Sequence, residues 1–257
     1  MKTTKLLIVF TFIFLTKSFA APRYIYQLTI YHLQSQEQET RVEHYLQHAF
    51  VPALHRANIR TVGVFKPIAT EKKDAERLLY VFIPYTTFDQ YLGLEEQLMN
   101  DKTYQKAGSD YIHAAYDNPP YTRMETIFMR AFEKSPTVSI PQLKGNRKDR
   151  IYELRSYEGP TEKRYRNKVD MFNLGDEINL FKRLGFNAVF YGEVLAGKNM
   201  PNLMYLTTFE DMQSREKHWD AFNNDPYWKK LSSSPNYQHN VSHSDIIFLY
   251  PTDYSDF

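Results

Sequence analysis

Ile25-Tyr26-Gln27-Leu28 near the amino terminus returns as Ile151-Tyr152-Glu153-Leu154. Other blocks return in the same order. Gly63-Val64-Phe65 is answered by Ala188-Val189-Phe190, Leu79-Tyr80-Val81 by Met204-Tyr205-Leu206, and Thr87-Phe88-Asp89 by Thr208-Phe209-Glu210. Asn100-Asp101 with Tyr104 and Lys106 is answered by Asn224-Asp225 with Trp228 and Lys230. The offset stays between 121 and 126 positions. Ordered recurrence of this kind reads as a tandem duplication of a unit of roughly 100 residues, the size of a small domain.

Each unit reads as strand, helix, strand, strand, helix, strand. In the second, Ile151 to Tyr157 alternates and meets the breakers Gly159-Pro160. Met171, Leu174, Ile178 and Phe181 recur at helical spacing and predict one helix, stopped at Gly185. Phe186 to Leu195 and Asn202 to Thr208 predict a hairpin around Ala196-Gly197-Lys198-Asn199, and Thr208 is placed to cap the next helix. That helix runs to about Phe222, and Asp245 to Tyr250 forms the last strand. In the first unit, strand Tyr24 to Leu33 precedes a helix over Glu37 to Ala57, interrupted at Pro52. Strands Arg60 to Ile68 and Arg77 to Pro84 flank a charged turn, Glu71 to Glu76; a helix Phe88 to Met99 and a strand Met124 to Phe132 complete the unit. The expected division is a leader over 1–20, an amino-terminal half over 21–132, a polar, proline-containing connector over 133–149 and a carboxy-terminal half over 150–257.

Residues 1–20 read as a secretory signal peptide. Lys2 and Lys5 precede an apolar run, Leu6 to Leu15, and Ser18-Phe19-Ala20 supplies small residues for cleavage. The expected destination is periplasmic or secreted, with no integral membrane association after cleavage. Removing three lysines from a formal charge of +2 leaves the mature chain at −1. That excludes a basic footprint for nucleic acid. There is no cysteine, so disulfides, thiol catalysis, Fe–S clusters and Cys-ligated zinc are excluded. The 20 Tyr and 18 Phe point to an aromatic core, or to a tyrosine-lined pocket. No phosphate loop, nucleophile elbow or dinucleotide fingerprint is present.

The second half resembles the NIPSNAP family. The resemblance rests on Tyr152-Glu153-Leu154-Arg155-Ser156-Tyr157, Phe190-Tyr191-Gly192-Glu193, Asn202-Leu203-Met204-Tyr205-Leu206, and Trp219 with Phe222, and spans roughly Arg150 to Tyr250. The first half has Gln27-Leu28-Thr29 where the second has Glu153-Leu154-Arg155. The resemblance implies the dimeric α/β-barrel, ferredoxin-like superfamily. The expected fold is therefore α+β: two tandem βαββαβ units whose antiparallel sheets pack face to face as an intrachain dimeric barrel. The family supplies no catalytic motif to carry over. The superfamily includes monooxygenases, isomerases and haem-handling enzymes as well as non-enzymatic binders.

The candidate ligand-binding residues are polar groups set in core strands. Glu153 and Arg155 share one face of their strand, and Tyr191 and Glu193 share a face of theirs. Buried charges must pair, so they read either as a structural ion-pair cluster or as the polar floor of a cleft, with Arg155 holding an acidic or carbonyl-bearing ligand. His218, His239 and His243 form a second candidate group, for structural hydrogen bonds or a pocket rim, with metal, haem or acid–base roles as the alternatives. On a helix the spacing of His239 and His243 could ligate a metal, with Asp245 as a further oxygen ligand or orienting partner; in an extended or turning segment the two need not converge, and no metal and no cofactor are assigned. The leading expectation is an exported, soluble protein that binds a small, partly apolar molecule in the carboxy-terminal cleft. The alternatives are a cofactor-poor oxygenase or isomerase, and a structural self-assembly module; homo-oligomerisation is open in each.

Overall fold

Side chains alternate across a strand, so the parity of each residue decides which layer it enters. The computed structural model describes residues 22–68 and 77–257. The expected leader at 1–20 and the expected charged turn Glu71 to Glu76 lie outside the described residues. Among the described residues there are eight strands: β1 (Ile25–Leu33), β2 (Gly63–Pro67), β3 (Arg77–Tyr85), β4 (Arg123–Ala131), β5 (Ile151–Glu158), β6 (Phe190–Ala196), β7 (Asn202–Phe209) and β8 (His243–Pro251). They close into one antiparallel barrel in the order β1-β3-β2-β8-β5-β7-β6-β4. Each half contributes four neighbouring strands, arranged β4-β1-β3-β2 and β8-β5-β7-β6.

The halves are expected to shield each other as facing sheets. They are also hydrogen-bonded edge to edge. Phe65 pairs with Pro251 at the β2–β8 seam, and Arg130 with Glu193 at the β4–β6 seam. Both seams remove an edge that would otherwise be open to foreign strands. Tyr26 and Leu28 of β1 point into the barrel, where they meet Phe65, Phe82, Tyr152, Leu154 and Phe190 from both halves. The opposite faces carry helices: one apolar layer around Tyr45, Leu46 and Val81, the other around Phe172, Phe181 and Tyr205.

The helices repeat as pairs with matching caps. In the first half these are α1 (Gln36–Tyr45), α2 (Val51–Arg56), α3 (Phe88–Leu92), α4 (Leu94–Asn100), α5 (Lys102–Ala107) and α6 (Ser109–Ile112). In the second they are α7 (Glu162–Asn173), α8 (Glu177–Arg183), α9 (Met212–Asn224) and α10 (Pro226–Ser232). Ser35 caps α1 and Thr161 caps α7; Thr87 caps α3 and Asp211 caps α9; Asp101 caps α5 and Asp225 caps α10. Each of the last two aspartates also binds an arginine: Arg56 reaches Asp101 at 2.6 Å and Arg183 reaches Asp225 at 2.9 Å.

Several local expectations change. Thr208 does not cap a helix; it lies in β7 and donates to the Asn187 carbonyl at 2.8 Å, leaving the cap to Asp211. The helix expected through Leu174 breaks into α7 and α8 at Leu174-Gly175-Asp176, with Asp176 at a left-handed φ of 61° and Leu174 exposed. The helix expected through Met99 breaks at Gly93. Around Pro52 the helix continues, because a π turn at Leu46–Phe50 immediately precedes it. An α turn there would set the proline ring against the His48 carbonyl. The paired blocks at β3 and β7 are also one residue out of step. Leu79 lies opposite Tyr31, as Leu203 lies opposite Tyr157, so Leu79 corresponds to Leu203 rather than Met204. A one-residue slip exchanges the two faces of a strand.

The barrel interior belongs to neither half alone. Phe190 stacks on Phe82 with ring centroids 4.7 Å apart and meets Tyr26 at 5.3 Å. Phe190→Ala should therefore cost about 3–5 kcal/mol, and the chain should still unfold in one transition. Urea melts followed by far-UV circular dichroism and by the fluorescence of Trp219 and Trp228 check this. Two well-separated transitions would show that the halves do not share a core.

Candidate functional site

On the helix-facing side of β5, Glu153, Arg155 and Tyr157 stand in a row. Glu153 has no solvent exposure. Its Oε1 accepts from Arg155 Nε at 2.6 Å and from Arg215 Nη2 at 3.0 Å. Its Oε2 accepts from Arg215 Nε at 2.9 Å and from Trp219 Nε1 at 2.8 Å. Arg215, Trp219 and Phe222 share one face of α9 at i, i+4 and i+7, which is how one helix brings both donors to one carboxylate. Burial raises the Glu153 pKa, but Arg215, Arg155 and Trp219 outweigh burial and hold it below the usual carboxylate value.

Arg155 lies over the Trp219 ring, its guanidinium carbon 3.7 Å from the ring centroid. Its Nη1 donates to the Tyr157 hydroxyl at 3.0 Å, and Tyr157 and Tyr205 share a hydrogen bond of 2.8 Å. A second buried ion pair stands beside this row. Lys168 of α7 donates to Glu177 Oε2 of α8 at 2.9 Å. Lys168 also sits 4.6 Å from the Phe172 ring centroid and 3.4 Å from Met171 Sδ. Burial pushes the Glu177 pKa up, and the nearby Lys168 only partly offsets it.

These groups line a cleft of about 300 Å³ between the sheet and the helices. Arg155, Tyr157, Tyr205, Lys168 and Glu177 form its polar side; Phe181, Trp219, Phe222 and Trp228 form its walls. Three cations, Arg155, Arg215 and Lys168, face two carboxylates, Glu153 and Glu177. The cleft can accept a small anion with an apolar body.

Of the seven residues singled out from the sequence, Glu153 and Arg155 form this centre. Tyr191 packs among Phe132, Phe172 and Phe181 beneath the same helices. Glu193 lies at the β4–β6 seam, bound by Arg23 Nη1 at 3.1 Å and Arg130 Nη2 at 3.2 Å. His218 turns back on its own helix, with Nδ1 2.6 Å from the Ser214 carbonyl, and packs against Phe186 and Phe209. His239 occupies a loop at a left-handed φ of 56°. His243 opens β8, with Nε2 3.1 Å from Asp245 Oδ1. Ligand atoms of His243, Asp245 and Glu158 lie within 4.8 Å of one another at the outer end of the β5–β8 pair, an arrangement able to hold a divalent cation. None of the three histidines lines the cleft.

The sequence reading missed Lys168 and Glu177. Their signal was available: Tyr165, Lys168, Val169 and Phe172 recur on one helical stripe, which places a lysine among apolar neighbours.

Residues 152–256 match the model of the NIPSNAP family. The match covers most of the carboxy-terminal half of this chain. The site just described lies wholly within it. No curated protein matches the chain in sequence. Among solved structures, a protein from Fusobacterium nucleatum provisionally titled a monooxygenase is similar over 89% of this chain and 92% of its own, at 10% identity and a TM-score of 0.56. An anthrone oxidase-like protein is similar over 91% and 93%, at 10% identity and a TM-score of 0.54. A NIPSNAP family protein from Agrobacterium tumefaciens is similar over 46% of this chain and 98% of its own, at 19% identity and a TM-score of 0.37. The first two likenesses concern the barrel fold alone.

Glu153→Gln should cost about 3–5 kcal/mol near neutral pH, because it strands two guanidinium groups around an uncharged amide. The pH dependence has a definite sign. The folded pKa of Glu153 lies below its unfolded value, so its contribution is complete above the usual carboxylate range and is lost as pH falls through the folded value. The stability gap between wild type and Glu153→Gln should therefore narrow with acid. Urea denaturation of both proteins across that range measures it; a gap that widens with acid would contradict the assignment.

Proposed function

We propose that the carboxy-terminal cleft binds a small aromatic or otherwise apolar molecule that carries a carboxylate or a similar anion. One observation carries this reading: Arg155 is held over the Trp219 ring by a fully buried Glu153, and presents its guanidinium to a cleft walled by aromatic rings. Orienting a guanidinium in advance lowers the entropy lost when an anion binds. Lys168 adds a second cation along the same cleft. A volume of about 300 Å³ lies at the lower end of the usual range for ligand pockets, which suits one or two rings.

A second reading keeps this cleft and adds turnover. Glu177 lines it, and its pKa is raised by burial, as a general base working near neutral pH requires. It could move a proton on a carbon acid whose anionic group rests on Arg155, the chemistry of an isomerase. The clefts count against a role in self-assembly alone. We also infer that a tandem duplication of a ferredoxin-like unit underlies the shared element order of the halves, and that the leader directs export to the periplasm or beyond.

Isothermal calorimetry with a panel of aromatic carboxylic acids, 1-naphthoate among them, tests the binding reading. At least one acid should bind, and Arg155→Met should weaken it on the order of tenfold or more, about 1.4 kcal/mol. Lys168→Met should weaken the same ligand without abolishing it. Failure of every acid to bind, or equal binding by folded Arg155→Met, would remove the proposal. Proton exchange at the acidic carbon, followed by NMR and lost in Glu177→Gln, would favour turnover.

A further inference from the structure

The larger cavity lies in the other half. It has a volume of about 540 Å³ and opens between β1, β3 and the helices packed on them. Its floor occupies the positions that carry the charges in the carboxy-terminal half. Gln27, Thr29 and Tyr31 stand on β1 where Glu153, Arg155 and Tyr157 stand on β5. Val81 lies opposite Thr29 just as Tyr205 lies opposite Arg155, so a large ring is replaced by a small side chain. The floor is thus both deeper and uncharged.

The polar side chains on the floor of this cavity bond one another. Tyr85 donates to Gln27 Oε1 at 2.8 Å, and Gln27 Nε2 donates to Thr29 Oγ1 at 3.0 Å. The hydroxyls of Tyr45 and Tyr104 share a bond of 2.8 Å, and Tyr111 donates to Tyr31 at 3.3 Å. Burial raises the pKa of the Tyr45, Tyr85 and Tyr111 phenols well above their ordinary value, so they stay neutral. Among the described lining residues Glu95 alone is charged, and it is exposed. An ion placed here would lose its hydration without gaining a counter-ion. Ring faces and aliphatic groups remain as the available contacts. At the mouth, Leu92, Met99 and Met124 are 61%, 69% and 47% exposed, a soft apolar rim continuous with the interior.

We propose that the amino-terminal cavity is a second binding site, which takes an uncharged planar aromatic molecule of about two or three rings. It differs from the carboxy-terminal site in charge preference, and stands or falls independently of it.

The probe is N-phenyl-1-naphthylamine, an uncharged fluorophore, titrated into the full chain. Saturable, blue-shifted emission at one equivalent is expected. Val81→Tyr, which restores the bulk found at Tyr205, should weaken binding on the order of tenfold or more. Leu98→Arg, at the partly exposed side of the cavity, should do the same and tests the proposal should Val81→Tyr fail to fold. Leu174→Ser, which removes an exposed apolar residue in the other half, should leave binding unchanged. Among competitors, 1-naphthol should displace the probe far more readily than 1-naphthoate. Equal affinity in folded Leu98→Arg, a matching loss in Leu174→Ser, or equal displacement by the two naphthalenes would overturn the proposal.

Discussion

Closure of the barrel leaves the middle of strands such as β5 and β7 with two buried faces. The inner face meets apolar side chains from both halves, and the outer face meets helices. A charged residue there cannot turn toward water, so it must find its partners within the fold. Glu153 is the extreme case, and its partners come from two elements, β5 and α9. The same contacts that make the carboxylate tolerable also fix how α9 sits on the sheet. They place Trp219 where Arg155 can lie against it, so the polar side of the cleft and one of its walls follow from a single burial problem.

Buried ion pairs are weak stabilisers compared with apolar residues of the same shape, because desolvation consumes most of the attraction. The carboxy-terminal half nevertheless keeps two of them side by side, Glu153 with its arginines and Lys168 with Glu177. The amino-terminal half manages the same layer with Gln27 and Thr29 on β1. Packing alone therefore does not require charges at these positions. Their presence beside a cleft is what the proposed anion-binding role would use.

The repeat made the element order and the closed α/β body legible, since matching words at a steady offset point to matching elements. Register was harder to read. Matching Tyr80 to Tyr205 aligns identical letters, yet Tyr80 belongs to the barrel core and Tyr205 to the helix-facing layer. Only the hydrogen-bonded ladder resolves that slip. Glu153 and Arg155 stood out because charges in an alternating strand are conspicuous. Lys168 and Glu177 did not, because charged residues on short helices usually face solvent and helix ends are poorly marked. The histidines drew attention by residue type, but chemistry at a cleft depends on direction. His218 points back along its helix, and His243 stands at the outer end of its strand.

The two halves keep what anchors their helices and vary what lines their clefts. Arg56 with Asp101 and Arg183 with Asp225 repeat the same capping lock at corresponding helix ends. Between those locks the floor changes from Gln27 and Thr29 to Glu153 and Arg155, and from Val81 to Tyr205. Such changes are tolerable because the shared barrel interior lies on the other side of each strand and does not contact them. One face holds the fold while the other adapts. A chain whose halves share one element order can then present two clefts of unlike polarity on one body, each altered without disturbing the core that both need.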